Sequence, residues 1–127
     1  MSHPRRARIL VVDDHQGSRE LLGRHLRPTY DVLTAETGKS ALQDLRNHQI
    51  DLVIQDVGLA DMDGLTLLQE SKTLQPQLPV IMITGRGTVA SARAAMNLGA
   101  VAFLLKPFNL EELRLLVEDV CRTIGLC

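Results

Sequence analysis

Residues 9–14 read ILVVDD, a run of four large apolar residues followed by two adjacent carboxylates. A short apolar run rich in β-branched residues is typical of a buried β-strand. Four more runs share this composition: DVLTA (31–35), LVIQ (52–55), VIMIT (80–84) and AFLL (102–105). The sequence therefore predicts five short strands.

The segment after each strand has the apolar spacing of an amphipathic helix. The predicted helices cover residues 18–26, 38–46, 64–75, 88–98 and 110–124. Asn109, with Glu112 three residues later, resembles the N-cap of the last helix and its partner. We interpret the apolar stripes as core-facing. Their residues are Leu21, Leu22, Leu26, Ala41, Leu42, Leu45, Leu65, Leu67, Leu68, Leu74, Val89, Ala92, Met96, Leu98, Leu113, Leu116, Val117, Val120 and Ile124.

The alternation of strands and helices predicts the fold class. Strands that are apolar throughout, each followed by a helix, are typical of a parallel sheet with helices on both faces. We therefore predict an α/β protein with a doubly wound, five-stranded parallel (βα)5 sheet. The 127 residues, 45% of them hydrophobic, suit a single domain over 1–127 with its core at about 8–124.

Polar side chains stand at the C-terminal ends of four predicted strands, where such sheets bind ligands. Asp13 and Asp14 follow the first strand, and Asp56 follows the third. Thr84 ends the fourth strand, and Lys106 follows the fifth. Carboxylates about 4 Å apart repel by roughly 4 kcal/mol per pair at an effective dielectric of about 20, so three together need protons or a cation. Hard oxygen ligands favour Mg²⁺.

The same set of residues suits phosphoryl transfer. Such chemistry depends mainly on positioning and on neutralising charge on the phosphoryl oxygens. Asp56 is the candidate nucleophile, and Lys106 and Thr84 are candidates to contact the phosphoryl group. Taken singly, an Asp after a strand is often an N-cap, a Thr a turn residue and a Lys solvated. Their joint placement favours the functional interpretation.

Four segments resemble the receiver domains of response regulators in bacterial two-component (phosphorelay) systems: ILVVDD (9–14), DVGLADMDGL (56–65), ITG (83–85) and FLLKPF (103–108). The similarity extends over about residues 8–124. The stretch 84–108 most resembles receivers attached to enhancer-dependent transcriptional activators. The resemblance implies a flavodoxin-like sheet with strand order 2-1-3-4-5.

The resemblance also implies the roles of the acidic residues. Asp56 is expected to accept a phosphoryl group from a sensor histidine kinase or a phosphotransfer protein. Asp14, Asp56 and the backbone carbonyl of Gly58 are expected to bind Mg²⁺, with Asp13 acting mainly through water. The domain would be a phosphoacceptor rather than an enzyme, because it promotes only its own phosphorylation and dephosphorylation.

The remaining implied roles concern the response to phosphate. Lys106 is expected to pair with Asp56 and then with the phosphate, and to precede a cis peptide bond to Pro107. Thr84 and Phe103 match the switch positions of the family. Their movement would change the surface of the fourth helix, fifth strand and fifth helix, for homodimerisation or docking that controls an output such as transcription. Candidate docking residues are Arg93, Asn97, Glu111 and Arg114.

The sequence departs from the family pattern at several positions. Ala60 stands where proline is common, which predicts a less rigid loop. Gly58 and Arg86 flank the pocket at positions that tune phosphoryl lifetime in the family. Phe103 lacks a ring hydroxyl. His15 follows the acidic pair and is interpreted as a solvated loop residue rather than a metal ligand.

Composition argues against several other functions. A net charge of −1 and 2% aromatic residues do not favour direct nucleic-acid binding. No apolar run reaches about 18 residues, and no signal-peptide core is present, so we expect a cytoplasmic protein without membrane contact. Cys121 and Cys127 lack zinc-ligand spacing and are expected to be free thiols.

Three alternatives remain open at this point. A flavin-binding domain of the same topology would need a phosphate-binding first loop, whereas this loop begins with two carboxylates. A Mg²⁺-dependent hydrolase with an aspartyl-phosphate would need a further acid or base beside Asp56, where Val57 and Gly58 stand. A receiver-like interaction module that works without phosphorylation is the most serious alternative.

Overall fold

The computed structural model describes residues 6–85 and 89–125, without the side chain of Val89. Five parallel strands form one sheet: Arg8–Val12 (β1), Asp31–Ala35 (β2), Leu52–Asp56 (β3), Val80–Thr84 (β4) and Ala102–Leu105 (β5). The strand order β2-β1-β3-β4-β5 confirms the expected topology.

Five helices alternate with the strands: Gln16–Leu26 (α1), Gly38–Asn47 (α2), Gly64–Leu74 (α3), Val89–Asn97 (α4) and Leu110–Thr123 (α5). Every boundary lies within two residues of the prediction. Asn109 caps α5 as expected, although its side chain accepts from the backbone N–H of Glu111. Within the described residues, no helix has the length and apolarity needed to cross a lipid bilayer.

The interpretation of His15 as a solvated loop residue was incomplete. His15 is exposed, but it is the N-cap of α1, and its Nδ1 accepts a hydrogen bond from the backbone N–H of Ser18 at 3.1 Å. This cap starts α1 two residues before the predicted position. This cap was not predicted from the sequence, because His is not among the residues that usually cap helices.

The sheet separates two apolar clusters, because alternate residues of a strand face opposite sides. Leu10 and Val12 face a cluster that includes residues of α2, α3 and α4. Ile9 and Val11 face a cluster that includes residues of α1 and α5. Helices therefore cover both faces, as predicted for a doubly wound sheet.

Four residues assigned to the core are instead exposed: Leu21, Leu74, Met96 and Ile124, at 50%, 41%, 46% and 37%. Successive helical residues are about 100° apart, so one of two adjacent apolar residues can face the sheet while the other faces solvent. Leu22 is buried beside Leu21, and Ala95 is buried beside Met96. Leu74 and Ile124 lie at helix ends, where packing against the sheet stops.

Candidate functional site

The sheet register brings the polar residues to one edge. Val12 of β1 lies beside Gln55 of β3, so the next residues along the two segments, Asp13 and Asp56, are neighbours. On the other side of β3, Asp56 lies beside Ile83 of β4, and Thr84 follows. The C-terminal ends of β1, β3 and β4 therefore supply adjacent side chains.

Asp13, Asp14 and Asp56 form a compact carboxylate cluster. One oxygen from each residue lies within 4.8 Å of the others, an arrangement that could hold a metal ion. The three side chains differ in exposure. Asp13 is fully buried, Asp56 has 14% of its side chain exposed, and Asp14 is exposed. The cluster thus runs from the interior to the surface.

Among the described residues, Lys106 places its ammonium against two carboxylates of this cluster. Its Nζ lies 3.3 Å from Oδ2 of Asp13 and 3.4 Å from Oδ2 of Asp56. Its backbone N–H donates to the carbonyl of Thr84 at 2.7 Å, which ties it to the end of β4. The peptide bond to Pro107 is cis, as the resemblance implied. With all groups ionised, three carboxylates against one ammonium leave a formal charge of −2.

Backbone contacts hold two of the carboxylates in place. Oδ1 of Asp13 accepts from the N–H of His15 at 2.9 Å, and Oδ1 of Asp56 accepts from the N–H of Gly58 at 3.2 Å. Arg19 of α1 donates to the carbonyl of Asp13 at 2.8 Å. The role of Arg19 was not predicted, because a bond to a backbone carbonyl leaves no pattern in residue types.

A cleft of about 580 Å³ opens over the cluster, and Asp14, Asp56, Gly58, Thr84 and Lys106 contribute to its lining. Thr84 itself is buried at the end of β4. Phe103 does not line this cleft. It pairs with Met82 across β4 and β5, and its partly buried side chain packs against the apolar cluster on the α2, α3 and α4 side of the sheet. Arg86 is outside the described residues.

Two of the expected docking residues are paired within the chain. Arg114 of α5 donates to Glu111 and, at 2.9 Å, to Glu118. The hydrogen bond from Arg114 lowers the pKa of Glu111, and the same bond raises the pKa of Arg114. These charges are therefore partly satisfied before any partner binds, whereas the side chains of Arg93 and Asn97 are exposed on α4.

Known proteins share this fold and are similar in sequence. The profile of the response regulator receiver domain matches residues 9–118. The chain is 40% identical over 120 residues to the transcriptional regulatory protein GlrR of Escherichia coli K12, covering 94% of this chain and 27% of GlrR. A receiver domain protein from Clostridium thermocellum has a TM-score of 0.89 at 30% identity, covering 94% of this chain and 98% of that one. The BeF3-activated DrrB receiver domain has a TM-score of 0.87 at 28% identity, covering 93% and 99%.

The chain spans about a quarter of the length of two of the transcriptional regulators that it matches, 27% of GlrR and 25% of the transcriptional regulatory protein ZraR of Escherichia coli K12.

Proposed function

Because the chain belongs to the response regulator receiver domain family of signalling domains, we propose that it accepts a phosphoryl group on Asp56 with the help of Mg²⁺. The observation that carries this proposal is the carboxylate cluster within 4.8 Å, with Lys106 held against two of its members. We propose that residues 1–127 act as a single phosphoacceptor domain rather than as an enzyme with a separate substrate.

The donor set of the cluster fits Mg²⁺. The ion prefers oxygen ligands and commonly takes one or two carboxylates with phosphate oxygens. We assign Asp14, Asp56 and the Gly58 carbonyl as direct ligands, with Asp13 acting mainly through water. An ion held by these residues would neutralise charge on the phosphoryl group being transferred.

Burial distinguishes Asp56 from Asp13 as the acceptor. Asp13 is fully buried, and its two oxygens accept from His15 and Lys106. Asp56 is partly exposed and lines the cleft, so a phosphohistidine of a kinase or phosphotransfer protein can approach it. An oxygen of Asp56 forms the new bond to phosphorus as the phosphorus–nitrogen bond breaks, and the imidazole leaves with the electron pair. Lys106 stays beside the phosphoryl oxygens.

The proposed change of the protein surface on phosphorylation follows from the added charge. A phosphoryl group brings about 1.5 to 2 negative charges and three acceptor oxygens. We propose that the Thr84 hydroxyl turns toward them, that Phe103 moves inward, and that the α4-β5-α5 surface changes. Exposed apolar side chains in and beside these elements suit a phosphorylation-dependent homodimer: Met96, Val101, Leu105 and Leu115. By analogy with the transcriptional regulators that the chain matches, we propose control of transcription without direct nucleic-acid contact by this segment.

Incubation with acetyl phosphate and Mg²⁺, followed by intact-mass measurement, tests the acceptor. We expect an increment of one phosphoryl group that EDTA prevents and that Asp56→Ala abolishes. Glu70→Gln, which changes an exposed carboxylate on α3, serves as the matched control and should keep the increment. If the wild-type chain gains no mass with excess acetyl phosphate and Mg²⁺, the chain is instead an interaction module that works without phosphorylation.

The output surface has its own test. Addition of BeF₃⁻ and Mg²⁺ should move the backbone amide resonances of α4, β5 and α5 and should increase the dimer fraction in sedimentation. If those resonances stay fixed while Asp56 accepts phosphate, the signal leaves by another surface.

A further inference from the structure

The loop that follows Asp56 is closed at its base by three contacts. The N–H of Gly64 donates to the carbonyl of Val57 at 2.7 Å, and Gly58 forms an isolated β-bridge with Asp63. The buried side chain of Gln55 donates to the carbonyl of Gly64 at 2.8 Å. These contacts join the two ends of the loop but leave its tip to be held by something else.

The tip is tied to the start of α2 by Asp61. Oδ1 of Asp61 accepts from the N–H of Gly38 at 2.8 Å, and Oδ2 accepts from the N–H of Lys39 at 3.0 Å. Amides in the first turn of a helix have no partner within the helix, and the helix dipole favours a negative charge there. The bonds from Gly38 and then Lys39 lower the pKa of Asp61, so the carboxylate is ionised at neutral pH.

A close contact beside this clamp explains the glycine at position 38. A Cβ on Gly38 would lie 2.5 Å from both Cγ and Sδ of Met62. The missing side chain therefore lets the loop lie directly on α2. Leu59 and Met62 also pack, partly buried, against the apolar cluster beneath.

We propose that Asp61 is a positioning residue for the metal site. This inference rests on the function proposed above, because the loop that Asp61 clamps to α2 carries the Gly58 carbonyl assigned to Mg²⁺. Ala60 leaves the backbone at this point freer than the proline common in related domains, which fixes φ at about −65°. Two hydrogen bonds from another helix supply the restraint instead. Asp61 acts on the Gly58 carbonyl only through the backbone of the loop, since the side chain of Asp61 faces α2.

The test is the Mg²⁺ dependence of phosphorylation by acetyl phosphate, measured for the whole 127-residue chain. Loss of a group that orients a metal ligand typically weakens metal binding by about 10-fold or more. In Asp61→Ala we expect the half-saturating Mg²⁺ concentration to rise about 10-fold, with the rate at saturating Mg²⁺ within about twofold of wild type. Asp61→Asn keeps one acceptor oxygen, and its half-saturating Mg²⁺ concentration should lie between those of wild type and Asp61→Ala.

Glu36→Gln is the matched control for charge. Glu36 is an exposed carboxylate two residues before Gly38, and its substitution should leave the half-saturating concentration unchanged. The half-saturating Mg²⁺ concentration could instead rise equally in Asp61→Ala, Asp61→Asn and Glu36→Gln. Only bulk charge would then matter, and the positioning role of Asp61 would be wrong.

Calorimetric titration with Mg²⁺ separates this inference from the proposed function. Wild-type phosphorylation together with unchanged Mg²⁺ affinity in Asp61→Ala would overturn the role of Asp61 alone. Absence of any phosphoryl uptake by the wild-type chain would overturn the proposed function itself, whatever the titration gives. Far-ultraviolet circular dichroism identifies a variant that fails to fold, in which case Asp61→Asn decides the question.

Discussion

Lys106→Met is the perturbation that most directly tests the charge balance of the cluster. The change removes the ammonium but keeps an unbranched chain of similar length. Asp13 is fully buried, and the ammonium lies 3.3 Å from its Oδ2. At that separation the attraction is about 5 kcal/mol at an effective dielectric of about 20. Breaking a buried pair by removing one partner typically costs about 3–5 kcal/mol. Because 29% of the Lys106 side chain is exposed, we expect the lower value, about 3 kcal/mol.

Urea unfolding followed by circular dichroism, with EDTA and then with saturating Mg²⁺, measures this loss. The loss of unfolding free energy in Lys106→Met relative to wild type should be largest in EDTA. It should be smaller with Mg²⁺, because the cation would restore positive charge beside the same carboxylates. Adding Asp13→Asn to the variant should recover part of the stability, since no unpaired buried charge remains.

Lys39→Met is the control for this experiment, because it removes an exposed lysine and should change stability by no more than about 0.5 kcal/mol. A deficit below about 1 kcal/mol in EDTA, the level of an exposed ion pair, would refute the reasoning. An equal deficit in EDTA and in Mg²⁺ would refute the link between the ammonium and the metal site.

Three further predictions concern packing, the loop and pH. Leu22→Ala should destabilise the fold by about 2–5 kcal/mol, whereas Leu21→Ala, at an exposed neighbour, should cost under about 1 kcal/mol in the same urea assay. Gly64→Ala should slow phosphorylation and lower the urea midpoint, because its Cβ would lie 2.5 Å from the backbone oxygen of Val57, which cannot move freely. The pKa of Asp61 is lowered from its ordinary value of 3.8, mainly by the backbone N–H of Gly38. Its stabilisation is therefore fully present above pH 3.8 and is lost as the pH falls through the lower folded-state pKa. The difference in urea midpoint between wild type and Asp61→Asn should start to shrink below pH 3.8 and disappear below the folded-state pKa.

Much of the fold could be predicted from residue order. Buried strands are apolar on both faces, and the helices between them repeat apolar residues at helical spacing, so the elements and the doubly wound class follow from periodicity. The strand order was implied by the resemblance to receiver domains. The resemblance to receivers of transcriptional regulators is confirmed by the family match and by the relatives. Periodicity failed at Leu21 and Met96, because it does not tell which of two adjacent apolar residues faces the sheet. It also failed at Leu74 and Ile124, which lie at helix ends.

The meeting of the charged residues could also be predicted, because strand ends in a parallel sheet share one edge. The contacts that support them could not. Asp61 and Arg19 act on backbone groups of another element, and any residue type supplies those groups. Ala60 predicted a looser loop, yet the hydrogen bonds of Asp61 hold its tip. The roles assigned to the site residues stay predictions until phosphorylation is measured.

The geometry of Lys106 suggests why the cluster suits a switch. Its two contacts, at 3.3 and 3.4 Å, are longer than the roughly 2.7–2.9 Å of strong charge-assisted hydrogen bonds. The ammonium is therefore shared between Asp13 and Asp56 and held tightly by neither. Asp13 keeps the 2.9 Å bond from the N–H of His15 when the ammonium moves. A phosphoryl group on Asp56 would then draw Lys106 away if its own contacts with the ammonium offset the loss of about 3 kcal/mol expected for breaking the pair with Asp13.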